Sequence, residues 1–192
     1  MPNLLFHRLP HILREIRIAM VDKMAYNRCG DHMATKTNAV RLVEQAKIPC
    51  REHFYEFDEK DLNGNHAAEA IGMPPEQVFK TLVARGERTG VNVFCIPVCC
   101  ELDLKKAAKA ACDKSIEMLP VKDLLATTGY IRGGCTSIGM KKKFKTFIQK
   151  DAESLGRIAV SGGRRGLQLF LKPDDLQRAA EAEYADVIFE HA

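Results

Sequence analysis

Val78-Phe79-Lys80-Thr81-Leu82-Val83-Ala84 and Val91-Asn92-Val93-Phe94-Cys95-Ile96-Pro97-Val98 flank the segment Gly86-Glu87-Arg88-Thr89-Gly90. Two runs rich in β-branched and apolar residues, joined by a short polar stretch with glycine at each end, predict a β-hairpin. Lys80 breaks the apolar pattern. Strand alternation puts it on the same face as Val78, Leu82 and Ala84, where an ammonium is costly unless it is paired or its pKa falls. Two explanations stand: the opposite face is the buried one and Lys80 is in water, or Lys80 opens into a polar pocket.

On either side of the hairpin, helices and strands intermix. Asn38 to Ala46 reads as a helix with Ala39, Val40, Leu42, Val43 and Ala46 on one broad face, stopped by Pro49. Arg51 to Phe57 alternates as a strand, with Arg51, His53, Tyr55 and Phe57 on one side. A polar loop through Asn63-Gly64-Asn65 leads to a short helix from Ala67 to Ile71, capped by Gly72. Asp103 N-caps a helix through Ala111, and Val121 to Ala126 forms another. Thr146 to Gln149, Arg157 to Ser161 and Leu167 to Leu171 are strands, Pro173 opens a helix to about Ala182, and Val187-Ile188-Phe189 adds a last strand. With no internal repeat, the pattern predicts a single α/β domain built on a mixed sheet, from about residue 33 to the end. Residues 1–32 form an N-terminal extension. They hold either a helix with an Ile12, Leu13, Ile16, Ala19 and Met20 stripe, opened by Pro10, or residues upstream of a translation start at Met33.

A chain of 192 residues with 46% hydrophobic and 28% charged residues has the make-up of one ordinary globular domain. No apolar run approaches the ~18–20 residues of a membrane helix. The Ile12 to Val21 stretch is broken by Arg14, Glu15 and Arg17, unlike a secretory signal. Seven cysteines, an odd number, contain no C-x-x-C pair and no histidine pair at ligand spacing, which argues against structural zinc. Free thiols without an export signal imply a reducing, cytoplasmic setting.

The net charge of +4 conceals a strong asymmetry. Between Arg132 and Gly166 stand nine Lys/Arg against two acids, a net of +7. The ordinary meaning of a charge run is a solvated face. Here it is interleaved with two glycine loops, Gly133-Gly134-Cys135-Thr136-Ser137-Ile138-Gly139 and Ser161-Gly162-Gly163-Arg164-Arg165-Gly166, where backbone N–H groups and cations could converge on phosphate or an oxyanion. Most glycine pairs merely serve tight turns. Neither loop has the G-x-x-x-x-G-K-[ST] spacing of a P-loop, and without a G-x-S-x-G elbow Ser161 is a weak candidate nucleophile. Cys135 with His53 as base is conceivable, although a buried, inert thiol is the commoner arrangement.

Phe79-Lys80-Thr81-Leu82-Val83, Glu101-Leu102-Asp103-Leu104-Lys105-Lys106-Ala107, Thr128-Gly129-Tyr130-Ile131-Arg132-Gly133-Gly134 and Val160-Ser161-Gly162-Gly163-Arg164-Arg165-Gly166-Leu167 follow one another in the order and approximate spacing of the YbaK/EbsC family. The resemblance extends over about Lys36 to Ile188. It implies a partly barrel-like mixed sheet surrounded by helices, similar to the editing domain inserted in some prolyl-tRNA synthetases. It also implies a trans-editing deacylase of mischarged tRNA, above all cysteinyl-tRNA(Pro), using no metal or other cofactor. Aminoacylated tRNA is then the partner, with prolyl-tRNA synthetase a candidate second one, and neither DNA nor membrane is engaged. By the same resemblance Lys80 is the essential pocket residue, with Thr81, Tyr55, Gly133 and Ser161 at matching positions. With the basic glycine loops, the site expected has Lys80, Gly133, Gly134 and Ser161 as its catalytic group, and Tyr55, Thr81, Arg132, Ser137, Gly162, Gly163, Arg165 and Gln168 in contact with substrate.

The chain departs from the cysteine-editing branch of that family near Asn63, where a pocket phenylalanine is replaced, at Gln168, where an acid is usual, and at Ser137, where a proline is usual. These departures leave two rival expectations: an editor of another small aminoacyl ester (alanyl- or seryl-tRNA), and a non-catalytic tRNA- or synthetase-binding module.

Overall fold

The hairpin is the spine of the computed structural model, which describes residues 36–59 and 62–189. Strand β2 (Val78–Gly86) pairs antiparallel with β3 (Gly90–Pro97) along its whole length, Phe79 opposite Pro97 and Gly86 opposite Gly90. Ahead of it come helix α1 (Asn38–Gln45), strand β1 (Arg51–Phe54) and helix α2 (Gly64–Ile71). After it come α3 (Leu104–Ala111), β4 (Ile116–Met118), α4 (Val121–Thr128), β5 (Lys145–Gln149), β6 (Ile158–Ser161), β7 (Leu167–Leu171), α5 (Pro173–Ala180) and β8 (Glu183–Ala185). The strands form one mixed sheet in the order β1-β7-β6-β2-β3-β5-β8, with β4 as a second neighbour of β2. This is the mixed α/β class expected, eight strands and five helices among the described residues.

The sheet is covered on both faces because alternate residues of β2 and β3 serve different cores. Phe79 and Cys95 pack with Ala39, Val40 and Val43 of α1 and Leu176 of α5. Ala84, Phe94 and Ile96, on the other face, pack with Ala107, Ala108 and Ala111 of α3 and with Phe147, whose ring stacks on Phe94 at 5.4 Å. The alanines of α3 let it lie close to the sheet, and Asp103 starts it by accepting the Lys105 and Lys106 amides at 2.8 and 3.2 Å.

Several boundaries differ from expectation, for local reasons. β1 ends at Phe54, so Tyr55 and Phe57 lie beyond the strand. α2 begins at Gly64 because the Asn63 side chain accepts the Asn65 amide at 3.1 Å and so caps the helix three residues early. After β3, Cys99 and Cys100 sit in a turn closed by the Cys100 amide on the Pro97 carbonyl. β4 is too short to carry a periodic signal. The last strand is Glu183–Ala185, not residues 187–189. Val187 is buried, but its amide donates to the Gln149 side chain at 2.9 Å, and Ile188 makes only an isolated bridge to Leu102. The features expected of residues 1–32 lie outside the described residues. No helix among those described is long and apolar enough to cross a membrane.

Candidate active site

A hollow of about 600 Å³ opens where the sheet forks at β2. On that edge, β6 pairs with β2 only at Val78 and Phe79, and β4 pairs only from Ala84 to Gly86. Between these two pairings this edge is bare from Lys80 to Leu82, and the Val83 carbonyl accepts the Leu119 amide at 2.9 Å. The hollow is accordingly lined by six consecutive residues, Val78 to Val83, although strand alternation sends their side chains to opposite faces. A cavity can touch every residue of a strand in this way only by reaching its backbone edge.

Lys80 projects into this hollow and donates one of its three N–H bonds to the Val98 carbonyl at 3.1 Å. Burial lowers its pKa from the ordinary lysine value, opposed by the Glu101 carboxylate. The second of the two explanations for Lys80 therefore holds: it opens into a pocket. Thr81, its neighbour, places Oγ1 3.8 Å from the Cys95 thiol on the opposite face.

The two glycine loops come together beside it. A Cβ on Gly134 would meet the Arg164 backbone at 2.9 Å, and Arg165 Nε donates to the Arg132 carbonyl at 3.1 Å. Gly133 has φ +83°, and a Cβ there would lie 3.1 Å from the Leu62 side chain that forms part of the wall. Arg165 also reaches Glu59 at 3.4 Å, so its guanidinium is fixed at the rim. Ser161 and Gln168 are cross-strand partners on β6 and β7, and their side chains share one face. Gln168 is buried, yet its Oε1 accepts no hydrogen bond, an arrangement that favours a ligand donor.

Of the expected site residues, Tyr55, Lys80, Thr81, Arg132, Gly133, Ser161, Arg165 and Gln168 line this one hollow. Gly134 is buried behind it, its amide committed to the Ile131 carbonyl at 3.0 Å. Gly162 and Gly163 shape the second loop instead of lining the hollow: the Gly162 amide donates to the Leu167 carbonyl, and the Gly163 amide donates to Ser161 Oγ at 3.3 Å. Ser137 is buried and faces a second hollow with Met140, Lys142 and Arg178. Asn63 does line the first hollow, as the cap of α2. Cys135 lies at its edge, but burial pushes its thiol up to about 12, and His53 is stacked on Phe170 with ring centroids 5.1 Å apart. This pair does not supply a thiolate nucleophile at neutral pH.

Sequence reasoning missed the apolar side of the hollow, formed by Leu62, Met118, Leu119, Val121 and Leu124, and the polar His66, Glu56 and Asp58. The available signal in the sequence was the apolar run Met118-Leu119 with Val121 just after Pro120, and the structure leaves Met118 and Val121 exposed. Among the described residues, no three His, Cys, Asp or Glu side chains gather into a metal-binding group.

Comparison with known proteins defines the class to which this fold belongs. Residues 64–179 match the family model of the aminoacyl-tRNA editing domain, and the chain belongs to that family. It is 47% identical over 152 residues, 79% of this chain and 93% of the relative, to an Enterococcus faecalis protein with the provisional name Cys-tRNA(Pro)/Cys-tRNA(Cys) deacylase EbsC. The fold also matches a crystal structure described as a candidate trans-editing enzyme for prolyl-tRNA synthetase, with TM-score 0.71, 20% identity, and coverage of 83% of this chain and all of that one. A hypothetical protein, APE2540, matches with TM-score 0.73 and 20% identity over 80% of this chain and all of that one.

Proposed function

We propose that this protein is a trans-editing hydrolase that deacylates cysteinyl-tRNA(Pro). The observation that carries the reading is Lys80, an ammonium held in a half-enclosed hollow against a single carbonyl and ringed by Tyr55, Gly133, Ser161, Arg165 and Gln168. A positive charge in that setting suits the electron-rich 3′ end of an aminoacylated tRNA. The name of the Enterococcus faecalis relative supports the same substrate class.

Such an enzyme has a clear physical reason to exist. A synthetase pocket gains only ~1–3 kcal/mol from a methylene-sized difference, so cysteine is admitted to a proline site and its ester must be cleared afterwards. An aminoacyl ester is already activated, and positioning with oxyanion stabilisation can suffice. Lys80 anchors the terminal ribose or the ester carbonyl, and the Gly133 amide binds the carbonyl oxygen. Tyr55 and Ser161 orient the aminoacyl group, Arg132 and Arg165 hold the adjacent phosphates, and Gln168 Oε1 accepts from the substrate's α-ammonium. Gly134, Ser137, Gly162 and Gly163 shape these loops. Burial holds the Cys135 thiol beside the hollow in its neutral form, and the substrate's own thiol attacks its ester carbon. The carbon–oxygen bond to the ribose then breaks, the ribose oxygen takes the proton, and water opens the resulting thiolactone to free cysteine. Prolyl-tRNA synthetase is the proposed source of the mischarged tRNA, the cytoplasm the proposed site of action, and residues from about 33 onward the proposed editing domain.

Deacylation of cysteinyl-, S-methylcysteinyl-, alanyl-, seryl- and prolyl-tRNA(Pro) by the wild type tests this. Selective hydrolysis of the cysteinyl ester, with the S-methyl ester resistant, is expected. Preference for the alanyl or seryl ester would replace the substrate, and binding without turnover of any ester would replace the activity.

A further inference from the structure

We infer that the backbone N–H of Thr81, on the bare stretch of β2, is a catalytic oxyanion donor. The inference rests on the deacylase reading and adds to it a group that no side-chain pattern reveals.

In an antiparallel pair, each residue turns its N–H and C=O to the same side, and successive residues turn to opposite sides. Val78 accepts from the Val98 amide at 2.8 Å, so even-numbered residues of β2 bond towards β3. Val83 accepts from the Leu119 amide at 2.9 Å, so odd-numbered residues face the other edge. Thr81 is odd-numbered. The pairing with β6 has ended at Phe79 and the next bond on that edge is the one from Leu119 to Val83, so the Thr81 N–H and C=O point into the fork between them. The lining of the hollow by Val78 to Val83 without a break is independent evidence that the cavity reaches this backbone edge.

A fixed N–H beside a half-buried ammonium is what a developing oxyanion requires, because it needs no reorganisation when charge appears. A second donor beside the Gly133 amide has to come from elsewhere, because the adjacent Gly134 amide is committed to Ile131. Thr81 and Gly133 both line the hollow, on β2 and on the first glycine loop. As the ester carbonyl becomes tetrahedral, its oxygen takes up the electron pair and receives the Thr81 N–H. When the bond to the ribose breaks, the pair returns to re-form the carbonyl.

The test is to replace the Thr81 amide with an ester, by incorporating the α-hydroxy analogue of threonine, which removes the N–H and keeps the side chain. We expect kcat on cysteinyl-tRNA(Pro) to fall about 100-fold, with KM little changed and the melting temperature lowered less than by the exchange at Ala84, because the Thr81 N–H makes no ladder bond and only the Lys80 carbonyl, which faces β3, is weakened as an acceptor. The same exchange at Ala84, whose amide faces β3, is expected to lower the melting temperature and spare kcat. Undiminished kcat in the Thr81 ester would overturn the inference, as would a drop in melting temperature at Thr81 as large as that at Ala84. A wild type inactive on every ester would instead overturn the deacylase reading on which it rests.

Discussion

Lys80 and Cys135 show how the same physical effect, burial, gives opposite chemical outcomes. Burial lowers the lysine pKa, keeping its proton easy to release and its charge poorly solvated, while it raises the thiol and keeps Cys135 neutral. At neutral pH the desolvated ammonium works against folding. Its lowered folded-state pKa means that this handicap shrinks as pH rises through that value towards the ordinary 10.5, where the unfolded chain also loses its proton. For Cys135→Ala we predict deacylation within about twofold of wild type, and for the wild-type thiol no alkylation by iodoacetamide at neutral pH in the folded protein. A large loss of rate in a folded Cys135→Ala would restore the thiol as a nucleophile. The odd lysine in an apolar strand was visible in the sequence because a single charge violates the pattern around it. Gln168 was visible only as a departure from a family. That its Oε1 has no partner depends on neighbours brought in by β1 and β6, which no local pattern encodes.

At the scale of elements, the hairpin was legible because two apolar runs and glycines at both ends agree with one another. What holds its turn was not. The Asp113 carboxylate, which follows α3, accepts the Thr89 hydroxyl and amide at 2.7 Å each, the Arg88 amide at 3.0 Å and the Lys114 amide at 2.6 Å. These bonds, the Thr89 hydroxyl foremost, hold its carboxyl well below the usual carboxylate range. A depressed folded-state pKa contributes stability that is present above the unfolded value of 3.8 and is lost as pH falls below it. Thermal melts should therefore show Asp113→Asn less stable than wild type at pH 7, with the gap closing below pH 4. A gap that is constant with pH would contradict the assignment. The fork that makes the site was equally hidden, because β4 is a three-residue strand and its register against β2 is set by tertiary packing.

Across the whole molecule, charge and cavity divide the work. The stretch from Arg132 to Gly166 carries a net +7 and contributes both glycine loops and two rim arginines to the hollow. Binding of deacylated tRNA should weaken steeply with salt. Replacing the exposed Lys141 and Lys142 with alanine should flatten the slope of log K against log salt by roughly 0.7–0.9 for each phosphate no longer neutralised. An unchanged slope would place the tRNA elsewhere. The organisation of the single mixed sheet was legible in the alternation of strands and helices, whereas the convergence of two loops about 30 residues apart on one lysine follows only from β6 lying next to β2. The central claim is that Lys80 serves catalysis at the expense of stability. The most direct measurement compares wild type with Lys80→Met for the single-turnover rate on cysteinyl-tRNA(Pro) and for melting temperature. We predict at least a 100-fold loss of rate with a melting temperature equal to or above that of the wild type; a folded Lys80→Met that deacylates at the wild-type rate would contradict the account.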